Sequence, residues 1–524
     1  MSQDDMNVAN SDGATVRADI NSQLGAIVTS HSGATAPSTT FAFQLWADTA
    51  NNLMKIRNTG NSAWIVLFKL STGGFEQGAD IASASALPVL ADGLFNDVTG
   101  TTGVTSINTL GVGVMKILQH DAAVTYTHHP TNLVLPKGGD ITTVAGQVLA
   151  FYEYATGDWR LVSSSIPADV SGENLVINGN MLVPQRGASF AALTASQYTI
   201  DCMQWIDTGT TAAVVTITQD TDVPTVAEAG IKFMNSLKID TTTAETLGSG
   251  DAALYLSHKI EAQNVTFFGH GASGALSATL SFWFKSTKTG IFTVNVDRDD
   301  ASEKYSTEFT VGTTDTWEKH TVTIPGDTSG TAIADDNGIG LDLQFMMAVG
   351  ATGTTSTADA WNASGATELA TANQVNLLDN TANNVFITGI QYEVGSIANR
   401  FKVPGIAIEL YKCKRYFERL NQGGFAANEF GTIQANSTTV ARGTLYTEVE
   451  KRTSPTITIS AASDFDVVQA SGSPVAITGL TFAAITPLNS KLACTGASGL
   501  TAGHATRLID DGGGNAYIDI SAEL

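Results

Sequence analysis

The sequence predicts a mainly β chain of several domains, with two well-separated helices. Three observations predict it. At 524 residues the chain is too long for one core, since domains run to roughly 100–200 residues, and three or four are expected. Glycine is abundant at 50 residues, and Thr, Ser, Ala and Asn recur throughout, which favours short strands and turns over long helices. Several segments alternate apolar and polar residues with a period of two, the pattern of a strand with one face buried.

The first segment, residues 1–73, opens with a helix. Val16, Ile20, Leu24 and Ile27 recur at spacings of four, four and three, Ser11 or Thr15 suits its start, and Gly33 its end. Such a helix has one apolar face. Phe41, Phe43 and Leu45 then alternate, "TANN" and "NTGNS" read as turns, and Trp64 opens a further strand, so a helix on a small meander is expected. Residues 74–168 are β-rich, in short runs such as "VMKILQH" and "VLAFYEYATGDWRLV" parted by Gly, Pro or Asp turns. Neither region holds long alternating strands that would close a large sandwich alone, which points to help from another copy of the chain.

A new start comes at "GENLVINGNMLVPQRGASF", after which residues 169–402 are strongly patterned. "ALSATLSFWFKS" sets Leu276, Ala278, Leu280, Phe282 and Phe284 against Ser277, Thr279, Ser281, Trp283 and Lys285. Phe292, Val294 and Val296 repeat the rule, as do Leu341, Leu343, Phe345, Met347 and Val349. Many such strands predict an antiparallel two-sheet sandwich of jelly-roll type. Residues 403–524 begin with a second helix, "GIAIELYKCKRYFERL", striped by Leu410, Cys413, Phe417 and Leu420, and then return to strands as a distal β domain.

Charge and motifs exclude several functions. The net charge of −23, from 50 acidic against 27 basic residues, repels a phosphate backbone, so nucleic-acid binding is not expected. Cys202, Cys413 and Cys494 are distant, odd in number and without C-x-x-C, and read as small buried residues. The N-terminal "MSQDDMNVAN" lacks the pattern of a secretory signal, and no run approaches the ~20 apolar residues of a membrane span. A chain made and assembled in a cytoplasm is expected, with no membrane insertion. "GHGASG" matches G-x-G-x-x-G at Gly269, Gly271 and Gly274, yet a strand pattern follows where a dinucleotide site needs a helix, so a turn is expected. No P-loop, H-E-x-x-H or G-x-S-x-G is present, and no enzyme activity is expected.

Candidate sites remain. His120, His128 and His129 read as turn histidines, with a metal as the alternative. Asp297, Asp299 and Asp300 form an oxygen-rich cluster suited to calcium or else solvated, as do Asp335 and Asp336. Trp283, on the polar side of its strand, and Trp361, in a Gly/Ser/Thr-rich loop, offer indoles that stack on sugar rings or that a loop or neighbouring chain covers.

Taken together, several stretches resemble phage tail fibres and receptor-binding appendage proteins. "NVANSDGATVRADINSQLGAIVTSHSG" through "SAWIVL" is similar to their N-terminal virion-attachment module, and "TNLVLPKGGDITTVAGQVLAFYEYATGDWRLV" to their thin β-rich shaft modules. "NLVINGNMLVPQRGASF" with "YTIDCMQWI" resembles the entry of their sandwich domain, and "VFITGIQYEVGSIANRFKVPGIAIELYKCKRYFERL" its exit. The family pattern continues that entry into a D-R-W strand, where this chain has Cys202 and Met203 before Trp205, so no role is carried to those positions. The resemblance implies a homotrimeric structural protein of the virion tail. Its helix of Val16, Ile20, Leu24 and Ile27 would join other tail or baseplate proteins, and its distal domains would meet a host-surface glycan or other receptor. A polysaccharide-depolymerising fibre is the alternative, though it would ask for a long β-helix with tandem repeats that the sequence lacks. A head or baseplate decoration fibre without a receptor role is another.

Overall fold

A computed structural model describes the chain except residues 1–2, 9, 137–139, 166–172, 210, 249–252, 397, 421–427, 470–471 and 497. The fold is mainly β and divides into two compact units, Met1–Val170 and Ser171–Leu524.

In the first unit, α1 spans Gly13–Val28. Its N-cap is Asp12, not Ser11 or Thr15: the carboxylate accepts from the N–H groups of Ala14 (2.9 Å) and Thr15 (3.0 Å), which holds its pKa below the ordinary range. The helix ends at Val28, short of Gly33, where the Thr29 hydroxyl turns back to the Gly25 carbonyl at 2.7 Å. Strands Leu45–Asp48, Leu53–Arg57 and Trp64–Lys69 form the meander. Phe41 and Phe43 lie before it rather than in it: the Gln44 N–H closes a turn onto Phe41 O, Phe43 has φ 66°, and both rings are exposed. On one meander face Trp46 and Trp64 pack at 5.2 Å, with Lys55 and Arg57 over their rings.

The β-rich region that follows contains parallel pairs as well as hairpins. Ile81–Ala82, Phe95–Thr99 and Met115–His120 stack in parallel, with Ile81 beside Val98 and Val98 beside His120. Ala86–Leu87 lies parallel to Ser106–Ile107 in the same way. The chain therefore winds in coils of about twenty residues over a filling of Leu87, Val98, Ile107 and Leu118 before the hairpin Val148–Ala155 and Asp158–Ser164.

The second unit is built on an antiparallel sandwich. The first sheet runs Ser189–Leu193, Val214–Asp220, Ser236–Thr243, Asn384–Val394, Ala278–Ser286, Glu318–Ile324. The second runs Gln197–Tyr198, Gln204–Asp207, Ala253–Glu261, Ile339–Val349, Gly290–Arg298, Glu303–Val311, Ala360–Ala363. Between them Phe282 meets Phe309 and Phe345 edge-on at 5.0 Å each, and Phe284 meets Phe292 at 5.3 Å. The alternation of Phe282 and Phe284 is thus inward, but the strand starts at Ala278, leaving Leu276 exposed, and its polar side is not solvated: Thr279, Ser281 and Lys285 are buried.

Distal to the sandwich, α3 spans only Ile406–Lys414, α2 being the short turn Val226–Ala229. Phe417–Leu420, expected as helix, is a strand paired with Ile518–Ser521; its ladder to that late strand outweighs the helical spacing of Phe417 and Leu420. The opening stretch of this unit is a tie. Asn178 (φ 59°) donates to Val183 O and Asp201 O, Gln185 Nε2 donates to Asp201 and to Phe417 O at 2.8 Å each, and Arg186 lies 3.5 Å over the Phe417 ring. It binds the sandwich to the distal strands. All three cysteines are free and buried.

Candidate functional site

In a two-layer sandwich the side chains that alternate with the core residues stand on the outer faces of the sheets. On the second sheet, strand pairing sets two adjacent rows of polar side chains side by side, because directly opposed residues share a face. One row reads Gln204, Ser257, Gln344, Asn295, Ser306 across five strands. The next reads Lys259, Asp342, Asp297, Lys304.

Two carboxylates thus stand opposite one another at the centre, an arrangement that by itself opposes strand pairing. Gln344 Nε2 donates to Asp297 and to Asp342, at 3.1 Å each. Ser257 Oγ donates to Asp342 at 2.6 Å, Ser364 Oγ to Asp297 at 2.8 Å, and Lys304 Nζ lies 3.5 Å from Asp297. Burial pushes the Asp342 carboxyl up, Ser257 and Gln344 pull it back, and Asp297 adds to the rise. Tyr255, two residues before Ser257 on the same face, is half-buried among Met346, Leu369 and Ala370; its hydroxyl is pushed up by burial, then by Asp342 and Asp297.

In the neutral row, Asn295 Oδ1, Ser306 Oγ and Gln204 Oε1 have no hydrogen-bond partner, and Asn295 and Ser306 are fully buried. The segment over that end of the row supplies Leu369 O to Asn295 Nδ2 at 2.8 Å. Ser257, Gln344 and Lys304 are buried as well, so the members of the two rows that keep partial exposure are Gln204, Lys259, Asp342 and Asp297, with the half-buried Tyr255 ring beside them.

Of the residues singled out in the sequence, Asp297 belongs to these rows. Asp299 and Asp300 sit on the following turn, where Asp300 accepts the Ala334 N–H at 2.8 Å, and among the described residues no three His, Cys, Asp or Glu side chains gather as metal ligands. Trp283 stands on the outer side of the first sheet, half-buried beside Gly389, where a Cβ would lie 2.7 Å from Phe233 and 3.2 Å from Trp283. Trp361 is on the edge strand of the second sheet, its indole N–H on Pro325 O at 3.2 Å and its ring against Tyr305 at 5.6 Å. The fold does not bring the two tryptophans to one surface. Of the helix residues, Ile20, Leu24 and Ile27 are exposed and Val16 is half-buried. His120 is buried against the Tyr126 hydroxyl at 2.8 Å, while His128 and His129 accept N–H bonds within their own turns. Gly269, Gly271 and Gly274 all have positive φ, and no helix follows them.

Asp342, Gln344 and Tyr255 carried no sequence signal. "LDLQ" and "LYLSHK" read as ordinary alternation, and only the pairing of four strands shows that their polar members meet.

No family model and no curated protein matches the chain. Among solved structures it is similar to a putative sugar binding protein from Bacteroides thetaiotaomicron, at 13% identity over 43% of this chain and 100% of that one, with a TM-score of 0.24. It is also similar to the enzymatically active domain of tailspike protein 4 of bacteriophage CBA120, at 12% identity over 57% of this chain and about a third (34%) of that one, TM-score 0.23. A family 11 carbohydrate-binding module from Clostridium thermocellum matches at 11% identity over 41% of this chain and 99% of that one, TM-score 0.20. At these identities and TM-scores none of the three assigns a family or a function.

Proposed function

We propose that the chain is a structural and binding protein of a phage tail, a homotrimeric fibre that joins the virion through its N-terminal region and binds host-surface glycan, without cleaving it, through residues 171–524. One observation carries the reading. Among the described residues, 18 of 28 exposed large apolar side chains lie in residues 1–170, with Ile20, Leu24 and Ile27 on α1 and Phe41, Phe43, Ile65, Phe75 and Met115 beyond it. A stable monomer does not leave so much apolar surface in contact with water, and copies of the same chain or tail proteins would cover it. The second unit, by contrast, closes one large apolar core within the sandwich and another among the distal strands.

Light scattering after size exclusion tests the reading. Three chains of 54.7 kDa make 164.1 kDa, the expected mass, with an elongated elution. A monomer at 54.7 kDa would argue against a fibre. Replacing Trp283 or Trp361 by Ala tests the two sequence-derived contacts: loss of a stacking partner should weaken glycan binding by about 1 kcal/mol. Unchanged affinity in both variants removes them.

A further inference from the structure

We propose that the two polar rows on the outer face of the second sheet bind an uncharged, polyhydroxylated sugar chain, with Tyr255 against a sugar ring and Asp297 and Asp342 accepting from adjacent hydroxyls. The assignment rests on the glycan reading above and gives it a place and a ligand class.

The argument is one of unfilled valences. Asn295 Oδ1 is an acceptor on a fully buried side chain and has no partner, Gln204 Oε1 lacks one in the same row, and the two carboxylates hold more lone pairs than their donors use. A buried polar atom left unpaired is destabilising, so three in one row mark a face that is completed by something else. What completes acceptors is a donor. Sugar hydroxyls donate, directly on the Asp342 side and through water beneath the segment that covers Asn295. Sulfate, phosphate or uronate groups bring acceptors and negative charge to a surface already centred on two carboxylates. A bare cation meets Lys304, with its Nζ 3.5 Å from Asp297, and Lys259 at the two ends of the charged row. Tyr255 supplies the apolar platform that a pyranose ring needs.

The test uses the full chain and affinity electrophoresis through gels containing dextran, mannan or β-glucan as uncharged probes, and alginate or dextran sulfate as acidic ones. At least one uncharged polysaccharide should retard the protein, with the affinity falling at least tenfold in Asp342→Asn and in Tyr255→Ala. Asp342→Asn keeps the shape of the side chain, so it reads the site even where Tyr255→Ala lowers the melting temperature. Retardation that both variants retain would overturn this site and leave the glycan reading standing. Retardation by acidic polysaccharides alone would overturn the ligand class. If none of the five probes binds, both fall. A calcium-dependent rise in melting temperature, absent from Asp342→Asn and without sugar binding, would replace the sugar by a cation.

Discussion

Arg298 is fully buried and its partner Asp327 nearly so; the guanidinium also donates to the Thr331 carbonyl, and Asp327 also accepts from Ser329. Removing one member of such a pair strands the other's charge in the interior. Asp327→Ala should therefore cost about 3–5 kcal/mol in denaturant unfolding, and Arg298→Met in the same background should recover part of it. His258 and His270 are likewise buried, and burial pushes both down to about 4, with Arg298 assisting at His270. The unfolded chain takes up these protons near the ordinary histidine value of 6.5, the folded chain near 4, so their contribution is complete above 6.5 and is lost as pH falls toward 4. Unfolding free energy measured across that interval should decline, and His270→Gln should flatten the decline. Asp201, pushed up to about 7 by burial, acts the other way: its contribution is present at low pH and is lost as pH rises through about 7. At this scale the sequence shows which residues ionise and nothing of whether they are buried, since Asp297 and Asp299 look alike in "VDRDD" and only one enters the polar rows.

At the scale of elements, α1 was legible because its stripe obeys the helical period, and the same stripe is what its own unit leaves bare. Leu24 is 53% exposed, so Leu24→Asp should change folding within the subunit by no more than about 0.5 kcal/mol. It should nonetheless abolish incorporation into particles, scored by antibody labelling of virions; normal incorporation would show that α1 is not the attachment face. The second helix was half legible. Leu410 and Cys413 sit on α3 as the stripe predicts, but Phe417 continues the period only on paper, because Ile520 and Asp519 compete for its segment as strand partners. The parallel coils of the first unit were not legible as such. Each turn keeps only a few inward positions, such as Leu87 and Ile107, too few to read as a repeat.

For the whole molecule, the charge of −23 per chain bears on assembly. In the trimer proposed above, three like-charged subunits would repel, and salt would screen the repulsion within about 10 Å at 0.1 M. The trimeric mass should be retained, or dissociate at lower protein concentration, as salt is raised from about 0.02 to 0.5 M. Dissociation promoted by salt would mean that ion pairs, not apolar contacts, hold the copies together.

Composition and period alone determined that this chain is mainly β, that a helix with one apolar face opens it, and that Phe282, Phe292 and Phe345 point into a core. These are local properties, written in side-chain spacing and turn chemistry. Only the tertiary structure decided that Asp297 and Asp342 face each other, that Phe417 to Leu420 is a strand, and that Trp283 and Trp361 are on separate surfaces. Each depends on which distant segments pair, and the energy that chooses a partner strand resides in contacts between residues tens to hundreds of positions apart, where neither period nor propensity reaches.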